Sequence, residues 1–212
     1  MDRLKLHNVT LLSIDDVDTN ASIELFLSLF SRIEFGDAML FSSKASISQT
    51  RNLPFLRKSD PINNIFDYNK FLIKESHKSV NTTHVLVVQR DGYPINTYGW
   101  KDEFLLYDYI GAPWPDGLVG NGGFSLRSKR LFNEVNNFED LRFDIPEDTL
   151  ICHPHYLGEK LRSSGIKFAP YDLAMRFSAE NRIWTCEFGF HGELTYDSLK
   201  NRMASDKSLN LG

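Results

Sequence analysis

The sequence is poor in cysteine. Cys152 and Cys186 are the only two in 212 residues, and no CxxC pair exists. A disulfide framework is therefore excluded, and a reducing compartment is favoured. Cys152-His153-Pro154-His155 matches none of the two-pair zinc spacings. A basic excess is also missing, since 24 Lys and Arg stand against 28 Asp and Glu for a formal net charge of −4. That argues against a nucleic-acid partner. Long apolar runs are absent. Nothing approaches the roughly 20 residues of a membrane helix, and no apolar segment opens the chain, so neither a spanning helix nor a secretory leader is expected. The expected location is the cytoplasm, with at most peripheral contact at the inner face of a membrane. GxSxG, HExxH, GxGxxG and the P-loop are all missing. Hydrolase, zinc-protease, Rossmann and P-loop readings lose their support with them.

What is present is ordinary for a soluble globular chain, with 42% hydrophobic and 25% charged residues. At this length a single core needs no staple. One domain over residues 1–200 is expected, followed by a polar tail at 201–212. Aromatics reach 13%, with 16 Phe. That suits a pocket that stacks on rings, although most of the Phe must be core.

Val9–Ile14 reads as a buried first strand ending in Asp15-Asp16. Asp18, Thr19 and Asn20 start a helix carrying Ile23, Phe26, Leu27, Phe30 and Ile33, with Gly36 as its stop. Ala38–Phe41 then returns as a strand, which makes a βαβ unit and a parallel sheet. Residues 42–66 are polar and irregular. A helix around Tyr68–Glu75 precedes the strand His84–Val88, which runs directly into Gln89-Arg90-Asp91-Gly92. A third helix spans Leu131–Phe138, Pro154 interrupts the helical region opened by Glu147-Asp148, and Ile166–Ala169 reads as a late strand. The pattern predicts an α/β fold with a mixed, mainly parallel central sheet flanked by helices. Ligands of such sheets bind at the carboxyl ends of the strands, which singles out Asp15, Gln89, Asp91 and Trp114.

Several constellations there can carry chemistry. Asp91, directly after an apolar strand, can hold a hard cation, although Asp91-Gly92 is equally a strong turn dipeptide. Gly120-Asn121-Gly122-Gly123 lets a ligand approach the main chain closely, or is simply a tight turn. Asp148, with Glu147, can act as general base, or cap a helix with Glu147 as a solvated neighbour. His191 sits between glycines and can be a second metal ligand, or a turn residue. Trp100 and Trp114 can stack on a ring or pack in the core.

The order of these blocks carries more than any one of them. Val9–Ile14, His84–Gly92, Tyr107–Trp114, Val119–Ser128, Pro146–Asp148, Lys167–Pro170 and Phe188–Gly192 resemble a bacterial domain family of formally unknown function, classed as glycosyltransferase-like. The same order is similar to the wider GT-A pattern of nucleotide-sugar glycosyltransferases. The resemblance implies a GT-A-like domain that moves a sugar from a nucleotide-sugar donor to a hydroxyl of a glycan or lipid-linked acceptor, in bacterial surface polysaccharide synthesis. It implies inversion with Mn²⁺ or Mg²⁺ assistance. Asp91 matches the last Asp of the metal-binding Asp-x-Asp, His191 the late metal ligand, and Asp148 with Glu147 the acidic pair. Ser13, Asp15, Asp16, Gln89, Arg90, Asp91, Gly92, Trp114, Asn121, Gly122 and Gly123 are then the nucleotide-sugar site. The sequence departs from the pattern at Gln89, which stands where the first Asp belongs and brings no charge. Two other readings stand beside this one. A nucleotidyltransferase would need a basic Gly-rich loop after the first strand, where Asp15-Asp-Val-Asp18 is acidic. An inactive carbohydrate-binding or scaffold protein would explain Gln89.

Overall fold

The computed structural model describes residues 2–205, the side chains of 200–205 excepted. Strand β1 (Leu4–Ile14) leads into helix α1 (Thr19–Arg32), whose first turn is capped by the Asp18 carboxylate on the Ala21 N–H at 3.1 Å. Strand β2 (Ile33–Ser42) begins at the residue after α1. Gly36 therefore does not stop the helix. It lies inside β2, where a side chain would overlap the His7 carbonyl, and β1 and β2 change register there, between Leu6 and Thr10.

The segment expected to be irregular contains a short helix, α2 (Ile47–Asn52), with a full capping box from Ser46 and Gln49, and strand β3 (Leu56–Lys58). Helix α3 (Ile65–Lys74) and strand β4 (His84–Val87) follow. After β4 come the short β5 (Gly92–Pro94), β6 (Tyr109–Gly111), β7 (Ser125–Ser128) and helix α4 (Lys129–Asn136). The remaining elements are α5 (Glu147–Cys152), α6 (Gly158–Ser163), α7 (Tyr171–Phe177), β8 (Ser178–Glu180), β9 (Gly189–His191) and α8 (Glu193–Ser205). Helix α8 crosses the boundary placed at residue 200, and 206–212 lie outside the described residues. Ile166–Ala169 forms only an isolated bridge, between Phe168 and Tyr109.

The main sheet has the order β3-β2-β1-β4-β7-β6. Strands β3, β2, β1 and β4 pair in parallel, and β7 runs antiparallel between β4 and β6. This is the mixed, mainly parallel sheet flanked by helices that the sequence pattern predicts. Both faces are covered, which is why β1 reads as a continuous apolar run. Leu11 and Leu86 point into a core shared with Ile23, Phe26 and Leu29 of α1. Their neighbours Leu12, Val85 and Val87 point to the opposite face, with Leu72 of α3 and Phe132 of α4.

A second sheet, β5-β9-β8, stands apart from the first. Phe124, Phe177 and Phe188 join the two, with Phe124 and Phe177 stacked at 4.8 Å. Trp100 packs edge-on against Phe104 and Phe188. Much of the aromatic content is thus core.

Candidate active site

The antiparallel insertion of β7 builds the site. Val87 at the carboxyl end of β4 pairs with Ser125 at the start of β7, so the Gly120–Gly123 loop arrives beside Gln89–Asp91. Gly92 pairs with His191 across β5 and β9. This brings residues about a hundred positions apart into contact. His191 Nε2 lies 3.3 Å from Gln89 Oε1 and 4.0 Å from Asp91 Oδ1. Gly123 is glycine because a side chain there would collide with the His191 ring, and one at Gly92 would meet Cδ2 at 2.5 Å. Burial opposes charge on His191, but Glu180, Asp91 and Asp148 outweigh it and raise its pKa above the ordinary value.

The acidic pair separates. Asp148 Oδ2 accepts the Gly122 N–H at 2.8 Å, and Oδ1 accepts the Thr149 N–H at 2.6 Å. The carboxylate stays partly exposed beside the glycine loop. Asp148 is not the helix cap: α5 begins at Glu147, and Pro146 occupies the cap position. Glu147 is neither solvated nor beside Asp148 as a second acid. It is 5% exposed and pairs at 2.8 Å with Arg127, which is fully buried. Burial pushes the Glu147 carboxyl up, and the guanidinium opposes that shift. Arg127 also donates to the Gly122 carbonyl at 3.2 Å and lies over the Tyr109 ring at 5.2 Å. Arg127 and the surrounding core enclose the Glu147 side chain, so of the acidic pair only Asp148 reaches the surface beside the glycine loop. The start of α5 is held by fully buried Asn69 of α3, which donates to the Phe143 and Ile145 carbonyls at 2.9 and 2.8 Å.

A cavity of about 1060 Å³ opens beside this corner. It is lined by Ser13–Val17, by Ile62–Ile65 and Tyr68, and by Gln89–Asp91. His191, Asp148 and the glycine loop do not line it; they lie beyond Asp91. Asp15 and Asp16 reach the wall with their carboxylates already engaged. Asp15 accepts from the Val17 and Asp18 N–H groups, from Ser22 Oγ and from Arg90 Nε, the last at 2.8 Å. Asp16 accepts from Ser42 Oγ, from the Ser43 N–H and Oγ, and from the Ile62 N–H. Four donors fill the usual capacity of a carboxylate. Both residues line the cavity expected to take the nucleotide, with their carboxylates engaged by the protein's own donors. Burial would raise the Asp16 pKa, but its hydrogen bonds, led by Ile62, hold it below the ordinary value.

Trp114 does not line the cavity either. Its indole covers Gly120, where a side chain would overlap the ring. Asn121 takes a left-handed φ of 61°, and its buried Oδ1 has no hydrogen-bond partner. Sequence reasoning missed four residues that set up the corner: Tyr68, which accepts from Gln89 Nε2 at 3.1 Å, together with Asn69, Arg127 and Glu180. Only a run of polar residues at otherwise apolar strand and helix positions could have flagged Arg127 and Asn69. Among the described residues no three His, Cys, Asp or Glu side chains converge as a metal cluster. Asp91 and His191 form a pair, with the Gln89 amide oxygen as a neutral third donor. Oxygen and imidazole donors of this kind suit Mn²⁺ or Mg²⁺ when phosphate oxygens complete the shell.

The profile of one family, described as "Protein of unknown function (DUF5672)", matches residues 52–191. The chain belongs to that family. The matched span holds the corner from Gln89 to His191 and leaves out β1 and α1. No curated protein matches the sequence significantly. Among solved structures, the chain is similar to "Mannosyltransferase PcManGT from Pyrobaculum calidifontis in complex with GDP-Man and Mn2+", with a TM-score of 0.50 at 9% identity. The likeness covers 78% of this chain and 55% of that one, so this chain spans little more than half of that protein's length. It is a likeness of fold. Among the described residues no helix is long and apolar enough to cross a membrane.

Proposed function

We propose that the protein is a glycosyltransferase that moves a sugar from a nucleotide-sugar donor to a hydroxyl of a glycan or lipid-linked acceptor, in bacterial surface polysaccharide synthesis. Residues 1–200 act as one catalytic unit in this reading. The observation that carries it is the meeting of Gln89, Asp91, His191 and Asp148 at the end of β4, beside a cavity of about 1060 Å³. The likeness of fold to a mannosyltransferase solved with GDP-Man and Mn²⁺ supports it.

The nucleoside lies in the cavity against Ser13–Val17 and Tyr68, and the diphosphate lies towards Asp91. Asp91 and His191 would hold a divalent cation, with Gln89 Oε1 beside them. A cation there neutralises the departing nucleoside diphosphate. The Gly122–Gly123 backbone gives the sugar a close approach. Asp148, held by the Gly122 N–H, accepts the proton of the acceptor hydroxyl. The acceptor oxygen forms a bond to the anomeric carbon as the carbon–phosphate-oxygen bond breaks, and the diphosphate leaves with the electron pair. Attack from the face opposite the leaving group inverts the anomeric centre. Positioning supplies most of the rate.

Thermal shift with UDP, GDP, CDP and dTDP sugars, each with and without Mn²⁺, tests the reading. A ligand at about a hundred times its Kd adds about 2.7 kcal/mol of stability. One nucleotide should raise the melting temperature, and only with the metal. No shift with any donor would sink the proposal.

A further inference from the structure

Arg127 lies on β7, between the glycine loop and the start of α5, and is fully buried. Ser125 and Arg127 are two residues apart, so their side chains leave the strand on one face. There Arg127 Nε donates to Ser125 Oγ at 2.9 Å. Ser125 Oγ donates in turn to the Gly122 carbonyl at 3.0 Å, and Arg127 Nη2 donates to the same oxygen at 3.2 Å. The guanidinium thus grips one carbonyl both directly and through a hydroxyl. The same Nη2 reaches Glu147 Oε1 at 2.8 Å. On the neighbouring strand Tyr109 is the register partner of Arg127, and its ring lies against the guanidinium.

Gly122 is therefore held at both ends, its carbonyl by Arg127 and Ser125 and its N–H by Asp148 Oδ2 at 2.8 Å. A Cβ there would overlap Glu147 Oε1 and stand 2.9 Å from Arg127 Nη2, so the loop backbone rests directly on the ion pair. Asp148 follows Glu147 in the chain. One rigid fork thus ties the loop to the residue next to the candidate base, a geometry that a single lysine ammonium does not reproduce. As a source of stability the pair is poorly completed: Arg127 Nη1 and Glu147 Oε2 are buried without a hydrogen-bond partner. Apolar residues of similar volume often replace a buried ion pair at no loss of stability. What they do not replace is the grip on Gly122.

We propose that Arg127 is a positioning residue for proton transfer: it clamps the glycine loop to the start of α5 and so sets Asp148 beside the sugar. The inference rests on Asp148 as the general base of the transferase reading, and it names the group that holds that base in place.

The test reads release of nucleoside diphosphate from UDP, GDP, CDP and dTDP sugars, with Mn²⁺ present and water as the acceptor. The water oxygen bonds to the anomeric carbon, the carbon–phosphate-oxygen bond breaks, and Asp148 takes the proton. Arg127→Met with Glu147→Leu in one chain removes both charges together and should fold. Its kcat should fall about 10²-fold, the loss that a misplacement of about 1 Å causes, with the donor KM and thermal shift kept. Added to Asp148→Asn, the same two changes should cost little more than Asp148→Asn alone, because a positioning residue acts through the base. A merely structural role would give independent losses that multiply. A parental kcat, or multiplied losses, overturns the proposal. If the double variant does not fold, Arg127→Lys decides, since it keeps a charge opposite Glu147 but not the fork. Its kcat should fall with the donor shift intact, and a parental kcat again overturns the proposal. Amide hydrogen exchange needs no turnover. Gly122 should exchange slowly in the parent and faster in either variant; fast exchange in the parent, or equal rates, would sink the clamp. A parent that releases no diphosphate from any donor would sink the transferase reading, and the Gly122 exchange would still test the clamp.

Discussion

Asp15, Asp16, Asp91, Glu147 and Asp148 look alike as letters, but their surroundings give them different work. Asp15 and Asp16 are saturated by local donors, Asp91 is half exposed, and Glu147 is locked to Arg127. Neighbours on a helix point about 100° apart, so Glu147 and Asp148 cannot share one environment. Asp148→Asn should lower the rate of transfer by about 10²–10⁴-fold and leave the donor-induced thermal shift intact. A full-rate variant would remove Asp148 from the mechanism. Glu147→Gln leaves Arg127 buried without its counter-charge and should cost about 3–5 kcal/mol in urea unfolding. Asp16 sets a pH dependence. Its folded pKa lies below the ordinary carboxylate value of 3.8, so its stabilisation is present above that value and is lost as pH falls through the lower folded pKa. Asp16→Asn should be less stable near neutrality and should show a flatter acid-unfolding profile below pH 3.8.

At the level of elements, glycines separate what periodicity can read from what it cannot. Gly36 has the signature of a helix stop, yet the close approach of β1 at His7 accounts for it. Gly123 has the signature of a turn, and the His191 ring from β9 accounts for it. Gly123→Ala drives a methyl group into that ring, a type of overpacking that costs about 1–3 kcal/mol. The far-UV circular dichroism should be unchanged, while the Mn²⁺-dependent part of the donor shift disappears. A retained metal-dependent shift would mean that the imidazole is not needed where it stands. The βαβ start and β4 were legible because their apolar runs are local. The β5-β9-β8 sheet was not, because three-residue strands carry no periodicity.

Over the whole molecule, the cavity wall is acidic. Asp15, Asp16, Glu24, Asp91 and Glu193 line it, and among the described residues Arg90, itself paired with Asp15, is the one Lys or Arg in the lining. A diphosphate meets such a wall favourably only with a cation to neutralise it. Stripping divalent metal with EDTA should therefore abolish the donor-induced rise in melting temperature, and added Mn²⁺ should restore it. A donor shift that survives EDTA would show that the wall accommodates the phosphates without metal.

The sequence by itself determined the α/β class, the parallel start of the sheet, and the order in which Asp91, the glycine loop, Asp148 and His191 appear. Those features rest on local apolar periodicity and on residue chemistry, which a single chain carries openly. The tertiary structure alone decided which carboxylates remain free, that Glu147 faces Arg127, and that Glu180 stands behind His191. These depend on strand register and on contacts such as Gln89 with His191, 102 residues apart. Burial and pairing, and with them the availability of a charge, exist only once such distant segments have packed together.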